Sequence, residues 1–239
     1  MRKAGVRVLV TGLLVMAGLI GAVDLAAAEG TIVAWGWNYW GQCDVPPPNS
    51  GFASISAASA TSAGLRSSGV LAVWGFCQIG QCAIPSPNGS FVAVSDGWYH
   101  TLALRADGSI AAWGYNADGE CVVPEPNMGF VAVAAGMHFS LGLKSNGSIM
   151  AWGRTAGGVC DVPQPNSDYI AIAAGPGHSL GLKSNGSVTA WGSNTVGQCV
   201  VPEPNGGFAA VAAGSWHSLG LRADGSIAAW GSNDHGEST

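Results

Sequence analysis

Three histidines and one acid are the residues of this chain that come nearest to chemistry. His100, His178 and His217 hold one position of a repeating pattern, where two other copies carry Phe139 and Thr61. A ring of imidazoles about an axis would suit a metal ion, yet no His-Glu-x-x-His or comparable ligand spacing occurs. The expectation is therefore no metal and no cofactor, with each imidazole hydrogen-bonded to the backbone of a neighbouring unit. Asp96 stands beside His100 where the repeat usually has Ala. An Asp-His couple without a nucleophile does not make a catalytic centre. Phosphate-loop and dinucleotide fingerprints are missing. The chain reads as non-enzymatic.

Cysteine is the next candidate. Cys43, Cys82, Cys121, Cys160 and Cys199 recur at one interval, too far apart between units for the roughly 7 Å Cα limit of a disulfide. They are expected to be small buried hydrophobes. Cys77 replaces an Asn of the other copies, and two readings stay open for it: a bridge to Cys82 within one loop, or two free thiols. Asn88, Asn146 and Asn185 match the glycosylation sequon but read more simply as turn residues.

Aromatic residues outside the repeat carry the stronger signal. Trp37, Tyr39, Trp40, Phe76, Trp98, Tyr99, Tyr115 and Trp216 fall at loop positions whose residue type changes from copy to copy. A scaffold makes the same demand of every copy, so aromatic residues that differ between copies point to a binding surface. Trp and Tyr are residue types that anchor interfaces.

The elements that must hold these loops follow from one dipeptide. Trp-Gly returns at Trp35, Trp74, Trp113, Trp152, Trp191 and Trp230, each 39 residues from the next. Each repeat contains four short runs suited to strands. The first resembles Phe130–Ala135, the second His178–Lys183, the third Ser187–Trp191 and the fourth Gln198–Val201, which Pro202 ends. Asn-Gly or Asp-Gly between the second and third runs predicts a type I′ hairpin with both residues at positive φ. Four antiparallel strands in about 40 residues make one propeller blade. The Trp residues should pack between blades, and the Gly after each one serves close backbone approach or positive φ. With strands A to D alternating in direction, the A–B and C–D loops share one face. That face varies; the other, of Asn/Asp-Gly turns and Pro-x-Pro-Asn links, is nearly constant.

The run Gly-x-x-His-Ser-Leu-Gly-Leu-(Lys/Arg)-x-(Asn/Asp)-Gly-Ser-(Ile/Val)-x-Ala-Trp-Gly resembles the repeat of the regulator of chromosome condensation family, from residue 30 onward. The Gly-Gln-Cys-x-Val-Pro continuation is most similar to its bacterial secreted members, among them a propeller that inhibits a β-lactamase. Such propellers typically have seven blades, whereas this chain supplies about five. Closure by the N-terminal strand, with Gln42–Val45 completing the fifth blade, is expected; an open or truncated ring is the alternative.

Residues 1–28 read as a signal peptide: Arg2, Lys3 and Arg7, an uncharged run from Val8 to Val23, and the small-residue exit Ala26-Ala27-Ala28. The propeller then spans 29–239, and the destination is secreted, periplasmic or cell-surface. Residues 1–28 carry a net +2 of the chain's −5, leaving −7 on the rest, which excludes a phosphate backbone as the main partner. The function expected is capture of an extracellular protein through the variable face; the alternative is a glycan, and contact with membrane is through the signal peptide alone.

Overall fold

Five antiparallel sheets of three strands each follow one another along the chain. In the computed structural model, which describes residues 30–238, blade one is β1 (Phe52–Ala58), β2 (Thr61–Arg66) and β3 (Leu71–Gly75). Blade two is β4 (Phe91–Asp96), β5 (His100–Arg105) and β6 (Ile110–Gly114). Blade three is β7 (Phe130–Ala135), β8 (Phe139–Lys144) and β9 (Ile149–Gly153). Blade four is β10 (Tyr169–Ala174), β11 (His178–Lys183) and β12 (Val188–Gly192); blade five is β13 (Phe208–Ala213), β14 (His217–Arg222) and β15 (Ile227–Gly231). The expected signal peptide lies outside the described residues.

The expected fourth strand is not a strand. In the Gly-Gln-Cys segments the backbone bonds locally: Val122 N–H to Gly119 O at 2.9 Å and Val123 N–H to Cys121 O at 3.2 Å. The remaining carbonyl serves the next blade. Trp113 Nε1 donates to Gln81 O at 2.6 Å and Trp152 Nε1 to Glu120 O at 2.9 Å, with the same bond at Trp74, Trp191 and Trp230. A ladder cannot form where both its donors and its acceptors are already committed. The recurring Trp residues thus hold blades together by an indole hydrogen bond as well as by burial.

The hairpin type also differs from expectation. Only the Gly of each Asn/Asp-Gly pair has positive φ, for example 80° at Gly108 and 79° at Gly147. Gly108 N–H donates to Arg105 O at 3.0 Å and Arg105 N–H to Ser109 O at 2.8 Å, a type I turn followed by a left-handed residue. The Asx side chain has a local partner instead of a left-handed backbone. Asp107 Oδ1 accepts from the backbone N–H and the hydroxyl of Ser109 at 2.9 and 2.7 Å.

Across the constant face a second Asn clamps the third strand of each of the first four blades, and another clamps Ile32 ahead of blade one. Asn127 Oδ1 accepts from Ile110 N–H and its Nδ2 donates to Ile110 O, at 2.8 and 2.9 Å. Asn49, Asn88, Asn166 and Asn205 do the same for Ile32, Leu71, Ile149 and Val188. Asn88 is therefore a clamp and not a turn residue. Beside each clamp a cation covers the blade's first aromatic ring, as Arg105 lies 4.5 Å from the Phe91 ring centroid and Lys144 3.7 Å from that of Phe130.

The core lies in the seams. Leu102, Leu104 and Ile110 of blade two pack with Phe130 and Trp152 of blade three, and the later seams repeat the arrangement. At the N-terminal end Ile32 rests on Gly64 as Ile110 rests on Gly142 and Ile149 on Gly181. Ile32 thereby takes the seat on blade one that Ile227 would need if the last blade closed onto the first. Ile227 is 68% exposed, against 4% for Ile110. Gln42–Val45, expected to complete blade five, lies against blade one, where Gln42 O accepts from Trp74 Nε1 at 2.9 Å. Among the described residues the seam after blade five is uncovered.

Candidate functional site

One backbone bond per blade brings the variable loops together. The residue after each Trp-Gly donates to a carbonyl of its own A–B loop: Phe76 to Ala60 at 2.8 Å, Tyr115 to Tyr99 at 2.9 Å, Arg154 to His138 at 2.9 Å. Ser193 to Gly177 and Ser232 to Trp216 complete the set, at 2.8 and 2.9 Å. The Gly of Trp-Gly makes this approach possible. At Gly114, with φ of 109°, an added Cβ would meet Tyr99 O at 2.7 Å.

The cysteines close the C–D loops and are not buried hydrophobes. Half-buried Cys121 and Cys199 donate through Sγ to Tyr115 O and Ser193 O at 3.3 and 3.2 Å, while their N–H groups donate to Asn116 and Asn194. Burial, with Glu120 beside it, pushes the Cys121 thiol up to about 12, so it remains a protonated donor. Ser238 makes the same pair of bonds in the last copy. Cys77 stands where Asn116 stands one repeat later, and a Cys77–Cys82 disulfide, Cα–Cα 5.1 Å, replaces that Asn's hydrogen bond.

Seven of the eight predicted aromatic residues fall into two chains of touching rings. Trp37 stacks on Tyr39 at 5.9 Å, Tyr39 meets Trp40 edge-on at 4.8 Å, and Trp40 meets Phe76 at 4.8 Å. Trp37 and Tyr39 are 65% and 72% exposed. In the second chain Trp98 touches Tyr99 at 6.3 Å, and Tyr99 and Tyr115 both touch His138, at 5.1 and 5.5 Å. Trp216 is exposed and joins neither chain among the described residues. Trp98 also faces an axial cavity of about 280 Å³ to which all five A–B loops contribute, through Ser59, Gly97, Gly136, Pro176 and Ser215.

The histidine position does not gather into a ring. His100 Nε2 pairs with the Ser140 hydroxyl at 2.9 Å, and that hydroxyl donates to Glu120 O at 2.8 Å, so the imidazole is the donor in the first bond. His178 reaches Ser218 in the same way at 3.0 Å. The partner is thus a neighbouring blade's side chain, where backbone was expected. Burial holds both rings down to about 4, which keeps them neutral. Among the described residues no blade packs beyond His217, and it shows no such bond. Asp96 does not pair with His100. It accepts from Thr101 Oγ1 at 2.9 Å, its other oxygen is buried without a partner, and burial raises it to about 7.

A cluster of Asp118, Glu120 and His138 is the feature that sequence reasoning left out. Asp118 and His138 lie on the C–D and A–B loops of the variable face, and Glu120 stands where Gly-Gln-Cys has its Gln. His138 Nδ1 lies 3.5 Å from Glu120 Oε1 and 3.7 Å from Asp118 Oδ2. The signal available was that Glu120 is an acid where Gln42, Gln81 and Gln198 are neutral.

Residues 91–120, 169–198 and 208–237 each match the family model described as the regulator of chromosome condensation (RCC1) repeat. No curated protein sequence matches the chain. Among solved structures it is similar to the ectodomain of the Physcomitrella patens receptor kinase CR4, at 26% identity and a TM-score of 0.66 over 78% of this chain and 53% of that one. It is also similar to the CRINKLY WD40 ectodomain of the Arabidopsis thaliana receptor kinase ACR4, at 25% identity and TM-score 0.63 over 77% and 70%. Prp20p from Saccharomyces cerevisiae shares the fold at 20% identity and TM-score 0.64, over 76% and 57%. The chain thus spans about half the length of the first of these.

Proposed function

From the three segments that match the regulator of chromosome condensation repeat, we propose an exported, non-enzymatic module that binds a protein through its A–B and C–D loops. One observation carries this reading: the ring chain Trp37–Tyr39–Trp40–Phe76, whose first two rings stand largely in solvent on the face that varies between blades. Exposed, mutually braced aromatic residues offer large contact area at low entropic cost, and such residues dominate binding energy at protein interfaces. Trp98, Tyr99, Tyr115 and Trp216 extend the same face. Export rests on residues 1–28, and an inhibitor, an adhesin and an assembly module are the roles it would suit. Solved relatives with this fold include yeast Prp20 bound to Kap60, which supports protein binding as a use of the fold.

The test is a pull-down from the native extracellular milieu, comparing the chain from Glu29 with a Trp37→Ala/Tyr39→Ala variant and a Trp98→Ala/Tyr99→Ala variant. A partner captured by the parent and lost by either variant, with circular dichroism unchanged, is the expected result. Equal capture by all three removes the face assignment. The stacked, exposed Trp37–Tyr39 pair is also a surface on which a sugar ring can lie, so a glycan is the second reading; hits on a glycan array that vanish in the first variant would put it ahead.

A further inference from the structure

We propose that Asp118, Glu120 and His138 hold a divalent transition-metal ion of the zinc type at the seam between blades two and three. Three departures from the repeat converge there. Glu120 replaces Gln; His138 occupies a position held elsewhere by Ala60, Tyr99, Gly177 and Trp216; Asp118 occupies one held by Trp40, Ile79, Gly157, Val196 and His235. Each change alone is ordinary loop variation, but together they place one imidazole nitrogen and two carboxylate oxygens within 4.8 Å of one another.

Glu120 supplies the independent sign of a ligand. It is fully buried, and its Oε2 accepts from Asp118 N–H at 2.9 Å, as Gln42, Gln81 and Gln198 accept from the N–H two residues before them. Its Oε1 has no hydrogen-bond partner and points at His138 Nδ1, which is itself buried and unpartnered. A buried carboxylate oxygen facing a buried imidazole nitrogen at 3.5 Å is too long for a hydrogen bond. Around a zinc ion with bonds of about 2.0–2.2 Å, tetrahedral donors stand about 3.4 Å apart, which is close to the separations of 3.5 and 3.7 Å. Two carboxylates neutralise the ion's charge, and Asp118, 40% exposed, leaves a route from solvent and an open fourth position. Tyr99 and Tyr115, packed on the His138 ring, fix its orientation.

Isothermal titration of ZnCl₂ into the full chain, carrying no affinity tag, tests this, beside Glu120→Gln and His138→Ala. Glu120→Gln installs the residue found at Gln42, Gln81 and Gln198 and keeps the bond to Asp118 N–H, so its fold is expected to be intact by circular dichroism. One equivalent should bind the parent, with affinity at least tenfold weaker in both variants. Loading with Co²⁺ should give nitrogen and oxygen ligation without a thiolate charge-transfer band. Absence of binding, equal affinity in Glu120→Gln, or a thiolate band from Cys121 would each overturn the proposal.

Discussion

The two faces of the array solve different problems. On the face of hairpin turns and Pro-x-Pro-Asn links, five Asn clamps and five cation-covered rings recur almost unchanged. On the opposite face the backbone bond from each post-Trp-Gly residue and the Cys, Asn and Gln bonds inside the C–D loops recur, while the side chains at the loop tips change from blade to blade. The lesson is mechanical. Once a few recurring bonds fasten a loop pair, its remaining side chains are released from structural duty and can be chosen for contact. Where side chains do the fastening, as at Asn127, every repeat needs the same one.

Asp96 sharpens that contrast, because it is a departure on the axial side with a cost to stability. Its buried carboxyl titrates near pH 7 in the fold and near 3.8 when unfolded. The unfolded chain therefore holds fewer protons across that interval, and stability falls as pH rises from about 4 to about 7. Asp96→Ala, which restores the usual repeat residue, should remove the loss. The gap between the two chains in urea denaturation should open between pH 4 and pH 8 to something on the order of 3 kcal/mol. A gap that does not change with pH would show that the carboxyl is not buried in solution.

A smaller effect is expected from the constant face. Asn127→Ala leaves the N–H and C=O of Ile110 without partners at a half-buried position, a destabilisation of about 2 kcal/mol in denaturant titration. A value near zero would mean that water replaces the clamp and that this face is not what fastens the blades. The smallest belongs to the variable face. Trp37→Ala and Tyr39→Ala should each change stability by under about 0.5 kcal/mol, since both rings are already in solvent. A loss above about 1 kcal/mol would make the ring chain a structural brace and break the division between the faces.

How much was legible follows the same line. The 39-residue register, the three-strand hairpin core, the inter-blade Trp and the pairing of A–B with C–D loops were all readable, because each repeats and the repeats report on one another. The Gly-Gln-Cys segment was misread as a strand, because its apolar residues look strand-like while its carbonyl is claimed by an indole 32 residues later. The thiols were misread as filler for a similar reason: their acceptors are carbonyls six residues back, reached only once the loop has turned.

By itself, then, the sequence determined the period, the first three strands of the unit, where its turns fall and which loops vary, since these depend on local propensity and on a pattern repeated within the chain. Only the tertiary structure decided what happens between units. It put Ile32 in the seat Ile227 would have filled, left the last seam uncovered, and set Glu120 against a histidine from the next blade. Those outcomes depend on contacts across a seam, where the residues that meet are 18 or more positions apart and no local rule couples them.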